Sequence, residues 1–297
     1  MRAVVIHETG DVDVLRLEDV ERPVPGDGEV LVRVHATSVN PIDWKFRRGL
    51  MPKQLPAILG SDASGVVEVS NADGFGAGEE VFGWLGSGSY AEYGVGLPTT
   101  LAHKPDHVSH EQAAALPVAA LTAWQALFER GGLERDQTVL ITGASGGVGH
   151  LAVQLAANAG AKVLATGSPR NRDFVLGLGA QRFIDYTSLD PATVAENVDL
   201  VFDAVGHGTQ ELLGAVRPGG RMVVIASAPP EGAAERDVDA QLLVMSPDAA
   251  ELERLAKLVA DGVIRVELDQ VVPLEDIQRA HALSESGHTR GKIVLTV

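Results

Sequence analysis

Between Thr138 and Ala156 an apolar run, Thr138-Val-Leu-Ile-Thr, enters the small-residue stretch Gly143-Ala-Ser-Gly-Gly-Val-Gly. It then continues without a break into a helical pattern, His150-Leu-Ala-Val-Gln-Leu-Ala. Glycines let a backbone curve tightly and come close to a ligand, and the first turn of a helix offers unpaired N–H groups at the positive end of its dipole. Such a turn suits a diphosphate. The strand–turn–helix context predicts a dinucleotide-binding unit, with Ala144, Ser145, Gly146, Gly147 and Val148 around the phosphates. Ala144 stands where the usual G-x-G-x-x-G series has its first glycine.

The next apolar run, Lys162–Thr166, is followed by residues that choose between two forms of such a cofactor. A carboxylate about 20 residues after the turn would bind a free ribose 2′-hydroxyl. No acidic residue occurs from Lys162 to Arg172, where the chain has Gly167, Ser168, Arg170, Asn171 and Arg172 instead. A hydroxyl, an amide and two guanidinium groups suit a 2′-phosphate, so NADP(H) is the expected cofactor.

Composition excludes several other chemistries. The 297 residues include no cysteine, which removes disulfides, thiolate metal sites and cysteine nucleophiles. A net charge of −16 disfavours nucleic acid as a partner. No run is long and apolar enough to span a bilayer and no leader composition opens the chain, so a cytoplasmic protein with no membrane partner is expected. His103, His107 and His110 are the only close histidine cluster, and Pro105 makes a loop without metal the expected reading.

These residues need a scaffold. The first ~110 residues read as short strands, at Ala3–Ile6, Val30–Val34, Gly65–Ser70, Glu80–Phe82 and Tyr90–Val95, separated by Gly- and Pro-rich turns. A helix-start signal follows at Ser109, Pro117 is expected to interrupt that helix, and Leu121–Glu129 to resume it. From Thr138 to Ala226 strands and helices alternate, which predicts an α/β fold with a doubly wound parallel sheet. Residues 228–240 read as a loop, Gln241–Met245 as a strand, 247–261 as a helix opened by Ser246, and 274–286 as another helix. The β character of 263–272 and 292–297 suggests a return to the first domain. The expected domains are therefore 1–120 with 263–297, and 121–262.

At this point the sequence resembles the zinc-independent quinone oxidoreductase branch of the medium-chain dehydrogenase/reductase superfamily. Besides Ala144–Gly149, the resemblance rests on Val39-Asn-Pro-Ile-Asp-Trp-Lys, Leu59-Gly-Ser-Asp-Ala-Ser-Gly-Val-Val, Leu121-Thr-Ala-Trp-Gln-Ala-Leu, Leu178-Gly-Ala, Ile184-Asp-Tyr, Phe202-Asp-Ala-Val-Gly and Gly291-Lys-Ile-Val-Leu, in that order. It implies a GroES-like β-barrel domain, a Rossmann domain and a cofactor in the cleft between them. It also implies that Ser168, Arg172 and Tyr186 hold the adenine ribose phosphate end. Val205, Gly206, Ala226 and Ser227 would line the ribose and nicotinamide edge, with Thr122 on the nicotinamide side and Lys292 reaching the cofactor from the tail. In zinc-dependent members the catalytic ligands fall in register with Asn40, Ser61 and the 117–119 region, none of which replaces the usual N/S set, so no metal is expected. A homodimer near Gln241–Met245 is implied by the resemblance alone.

The implied reaction is hydride transfer to a quinone or an α,β-unsaturated carbonyl, small molecules in which negative charge builds on an oxygen. Hydrogen-bond donors must then stabilise that oxygen. Asn40 is the first candidate by position, with Trp44, Lys45 and Ser61 behind it, and Asp43 orienting the loop. Asn40 could equally cap a turn before Pro41, and Trp44 could be a cleft wall or core residue. An enoyl-thioester reductase, with a basic rim from Lys45, Arg47, Arg48 and Lys53, and a non-catalytic NADPH-binding or interaction protein are the alternatives.

Overall fold

The computed structural model describes all 297 residues and begins with strand β1 (Arg2–Ile6), which pairs antiparallel with β2 (Arg16–Asp19). β3 (Val30–Val39) is ten residues long and rich in valine, a composition that suits a pleated, half-buried surface. Helix α1 (Pro41–Arg47) follows directly, with Pro41 at its first position, where a missing N–H costs nothing. Then come β4 (Ala57–Ile58), β5 (Asp62–Ser70), β6 (Glu80–Trp84), β7 (Tyr93–Gly96) and β8 (Leu101–His103). Ser109 caps α2 (His110–Ala114), reciprocally with Gln112. His110 is therefore helical rather than in a loop; its ring stacks on His35 at 4.6 Å and bonds to Ser64 Oγ at 2.8 Å. The helix opened by Ser109 ends before Pro117, as expected, but the next helix starts at Pro117 itself and not at Leu121. This is α3 (Pro117–Trp124), which runs on into one widened turn at Gln125–Arg130.

The alternating portion contains β9 (Thr138–Ile141), α4 (Gly149–Asn158), β10 (Lys162–Gly167), α5 (Arg172–Gly177), β11 (Arg182–Asp185), α6 (Pro191–Val194), β12 (Val198–Asp203), α7 (Thr209–Leu212), β13 (Val216–Val224) and β14 (Asp239–Leu242). The expected loop at 228–240 thus includes a short 3-10 turn and the start of β14. Helix α8 (Ala249–Ala260) is capped by Asp248, whose carboxylate accepts the Glu251 N–H, and not by Ser246. The chain ends with β15 (Leu268–Pro273), α9 (Ile277–Glu285) and β16 (Lys292–Thr296).

Contacts divide the chain into two units, residues 1–121 with 247–262 and 266–297, and residues 122–246 with 263–265. Residues 247–262 thus belong to the first unit, unlike the expected division, because α8 lies on β8 and the Ala249 N–H bonds to Thr99 O. In the first unit a seven-stranded sheet has the order β15-β16-β3-β5-β6-β8, with β7 also on β3, beside a three-stranded sheet β2-β1-β4. Ile6, Leu59, Tyr90, Ile293 and Leu295 belong to one of its apolar cores.

In the second unit the six strands are all parallel, in the order β11-β10-β9-β12-β13-β14. Counted from β9 this is 3-2-1-4-5-6, the Rossmann order, whose switch point lies between β9 and β12. Leu140, Ile184, Val201, Met222 and Val224 form part of its core.

Candidate active site

The C-terminal ends of the parallel strands gather most of the expected cofactor residues. After β9 the chain turns at Gly143, in the left-handed region at φ +61°, and enters α4. A Cβ at Gly149 would lie 2.1 Å from Gly143 O, so only glycine lets helix and turn come this close. Ala144 is fully buried, while Ser145, Gly146, Gly147 and Val148 are half-buried. The N–H groups of Ser145, Gly147 and Val148 bond to nothing within the chain. Unpaired donors at a dipole's positive end fit a diphosphate.

Asp203, fully buried at the end of β12, fixes the switch point. Its carboxylate accepts Thr142 Oγ1 and Thr209 Oγ1 at 2.6 Å each, and the N–H groups of Val205 and Gly206 at 3.0 and 3.1 Å. Val205 is 51 % exposed, Gly206 lies against Ala226 at φ +76°, and Ser227 Oγ is 2.9 Å from Thr209 Oγ1. Ser168 follows β10, with Arg170 and Arg172 exposed beyond it; the Arg172 guanidinium lies 5.7 Å from the Phe183 ring centre. Tyr186, after β11, is 55 % exposed. Asn171 turns inward instead. Its amide donates to Ser145 Oγ at 2.9 Å and Ser168 Oγ at 3.3 Å, tying the turn to the arginine loop. Thr122 is buried on α3.

The first unit holds the candidate catalytic residues on adjoining elements. β16 pairs antiparallel with β3, Ile293 facing Val39, so Lys292 falls level with Asn40. β5 flanks β3 on the other side, Ala63 facing Thr37, which brings Asp62 level with Ser38. Asn40 also precedes α1, and its N–H donates to Asp43 Oδ2 at 2.8 Å, so it caps a turn as one reading expected. Its side chain is 3 % exposed: Nδ2 donates to Asp62 Oδ2 at 2.8 Å, and Oδ1 accepts from Lys292 Nζ. Asp62, fully buried, also accepts Ser38 Oγ at 2.7 Å and the Val118 N–H at 3.0 Å. Tyr90 donates to Asp43 Oδ2 at 2.8 Å.

Burial raises Asp43 to about 6, against the lowering effect of the Asn40 N–H and Tyr90 bonds. Burial also pushes Lys292 below its ordinary value, opposed by Asp62 and Asp43. The Trp44 indole N–H is buried without a partner, and Lys45 is half-buried with its ammonium 5.9 Å from the Trp44 ring centre. Ser61 is 7 % exposed. Asp62, Tyr90 and Asp203 join these clusters without being among the expected site residues. A carboxylate at the edge of an otherwise apolar run, as in Ser61-Asp-Ala-Ser and Phe202-Asp-Ala, was the available signal.

Two family models match the chain, an alcohol dehydrogenase GroES-like domain over residues 26–106 and a zinc-binding dehydrogenase over residues 178–295. A chloroplast envelope quinone oxidoreductase homolog of Arabidopsis thaliana is 37 % identical, covering 94 % of this chain and 93 % of its own. The chain belongs to the quinone oxidoreductase branch of the medium-chain dehydrogenase/reductase superfamily. It is an oxidoreductase of nicotinamide-cofactor type, built from a GroES-like and a Rossmann-like domain. Among solved structures, the Coxiella burnetii quinone oxidoreductase superposes with a TM-score of 0.94 at 35 % identity, covering 100 % of this chain and 99 % of its own. The Escherichia coli quinone oxidoreductase complexed with NADPH gives 0.91 at 29 % identity, covering 100 % of both.

The residues at the register positions of a catalytic zinc do not fit that ion. Asn40 offers an amide oxygen already bonded to an ammonium, and Ser61 offers a hydroxyl. A lysine cation 3.7 Å from the buried carboxylate repels a dication there. No group of three or more His, Cys, Asp or Glu side chains is gathered to hold a metal.

No helix of the protein is long and apolar enough to cross a membrane.

Proposed function

We propose that this oxidoreductase uses NADPH to reduce a quinone or an α,β-unsaturated carbonyl without a metal ion. The observation that carries this reading is the half-buried turn 145–148 with its unpaired N–H groups, followed beyond β10 by Arg170 and Arg172 with no carboxylate before Asp173. When bound, NADPH supplies the hydride. The turn holds the diphosphate, and Ser168, Arg170, Arg172 and Tyr186 hold the adenosine 2′-phosphate. As hydride reaches a carbon conjugated to the carbonyl, the electron pair shifts to oxygen, where the second Nδ2 hydrogen of Asn40 and the Ser61 hydroxyl donate hydrogen bonds. Trp44 and Lys45 flank that oxygen's site, and the proton that completes the product comes from solvent.

The basic rim of the enoyl-thioester alternative is reduced to Lys45 and Lys53, since neither arginine is a free cation. Arg47 is fully buried on Glu285, Arg48 pairs with Glu285 and Asp11, and Lys53 bonds to Ser87. A homodimer through the β14 edge, where Leu242 and Val244 are exposed, belongs to the same proposal.

Stopped-flow oxidation of NADPH against menadione, cyclohexenone and crotonyl-coenzyme A tests it. Turnover with the quinone or the enone, insensitive to chelators, is expected. Turnover confined to the thioester, or none with any acceptor, would contradict it.

A further inference from the structure

Lys292 is buried, and its ammonium is taken up within the first unit by Asn40 Oδ1, by Val39 O at 3.4 Å and by Asp62 at 3.7 Å. The two charged neighbours of Asn40 have opposite hydrogen-bonding characters. An ammonium only donates, so it must face the amide oxygen; a carboxylate only accepts, so it must face the amide nitrogen. The Asn40 amide therefore has one orientation instead of the two that an amide flip ordinarily allows. Nδ2 carries two hydrogens. Asp62 takes one, and no acceptor in the chain takes the other.

An ammonium bonded to an amide oxygen draws electron density from the amide and makes its N–H a stronger donor. The cation also favours negative charge arriving on that N–H, more so in a buried setting than in water. Sheet pairing fixes the arrangement, since β16, β3 and β5 are neighbours and bring Lys292, Asn40 and Asp62 together. We infer that Lys292 is a positioning residue for the Asn40 amide, holding and polarising the N–H that meets the carbonyl oxygen of the acceptor. Asp62 completes the clamp from the opposite side. The inference rests on the role given to Asn40 above.

The test is a double-mutant cycle in full-length protein, with kcat measured for NADPH and menadione and NADPH affinity followed by fluorescence quenching. Lys292→Met is expected to lower kcat roughly ten- to hundredfold, less than the roughly hundred- to thousandfold scale of losing a preorganised donor outright, while NADPH affinity stays within about twofold. In an Asn40→Ala background the same change is expected to cost less than about threefold more, because the group it acts through is already gone. Equal losses in both backgrounds, or lost NADPH affinity with kcat preserved, would overturn the inference. Should Lys292→Met fail to fold, Lys292→Gln, which keeps an N–H donor without charge, enters the same cycle, and equal losses in both backgrounds again overturn the idea. An Asn40→Ala single variant at wild-type speed removes the role of Asn40 itself, a different result visible without the cycle.

Discussion

Asn40 and Arg172 carry the two most local claims, because each is assigned one interaction. Asn40→Ala removes one proposed donor to the developing oxyanion and is expected to lower kcat about a hundredfold, with NADPH affinity unchanged in a binding titration. Arg172→Glu replaces a cation at the proposed 2′-phosphate site with an anion. It is expected to weaken NADPH by about tenfold or more and NADH by less than about threefold in steady-state kinetics. Two buried titratable groups make acid stability a residue-scale property as well. His281, fully inaccessible with neither ring nitrogen bonded, is held down to about 3 by burial and by the Arg47 charge. Its contribution is present above the ordinary value of 6.5 and is lost as pH falls toward 3, because the unfolded state gains a proton the native state refuses. Asp43 works in the other direction: raised to about 6, it favours the native state below 3.8, and that gain disappears as pH rises through 6. His281→Phe is accordingly expected to move the acid-unfolding midpoint, followed by circular dichroism, to lower pH. Asp43→Asn is expected to remove a loss of stability between pH about 4 and 6.

Elements show where sequence was legible and where it was not. The β9–turn–α4 unit could be read because its signal is local: apolar run, glycines and amphipathic helix within nineteen consecutive residues, 138–156. The candidate cofactor residues after β10 were read from their charge and hydrogen-bonding groups, whereas those after β12 and β13 were implied by the resemblance alone. The short helix α1 was hidden because Asn40-Pro41 reads equally as a turn, and only the Asp43 carboxylate returning to the Asn40 N–H shows a cap. The start of α3 is four residues earlier than the expected Leu121 for a related reason, since proline that breaks a helix interior is favoured at a helix's first turn. The buried cluster of Asn40, Asp62 and Lys292 was the least legible part. Asp62 and Lys292 are 230 positions apart in the sequence and meet only through sheet pairing. At the turn itself, Gly149→Ala would push a Cβ against Gly143 O, and it is expected to cost roughly 1–3 kcal/mol of stability in denaturant unfolding and to weaken NADPH binding.

Across the whole molecule, the return of residues 266–297 to the first unit explains why the last strand supplies a charge to a residue near the start. The net charge of −16 makes the basic groups beyond β10 a local exception, so any phosphate-bearing cofactor must be recognised by a small set of donors and not by a general field. The central claim is that this set binds NADPH. Isothermal titration of the purified protein with NADPH and, separately, NADH measures it directly. One saturable site per chain is expected, at least about tenfold tighter for NADPH, with the difference abolished by Arg172→Glu. No heat with either dinucleotide, or equal affinity for both, would contradict it.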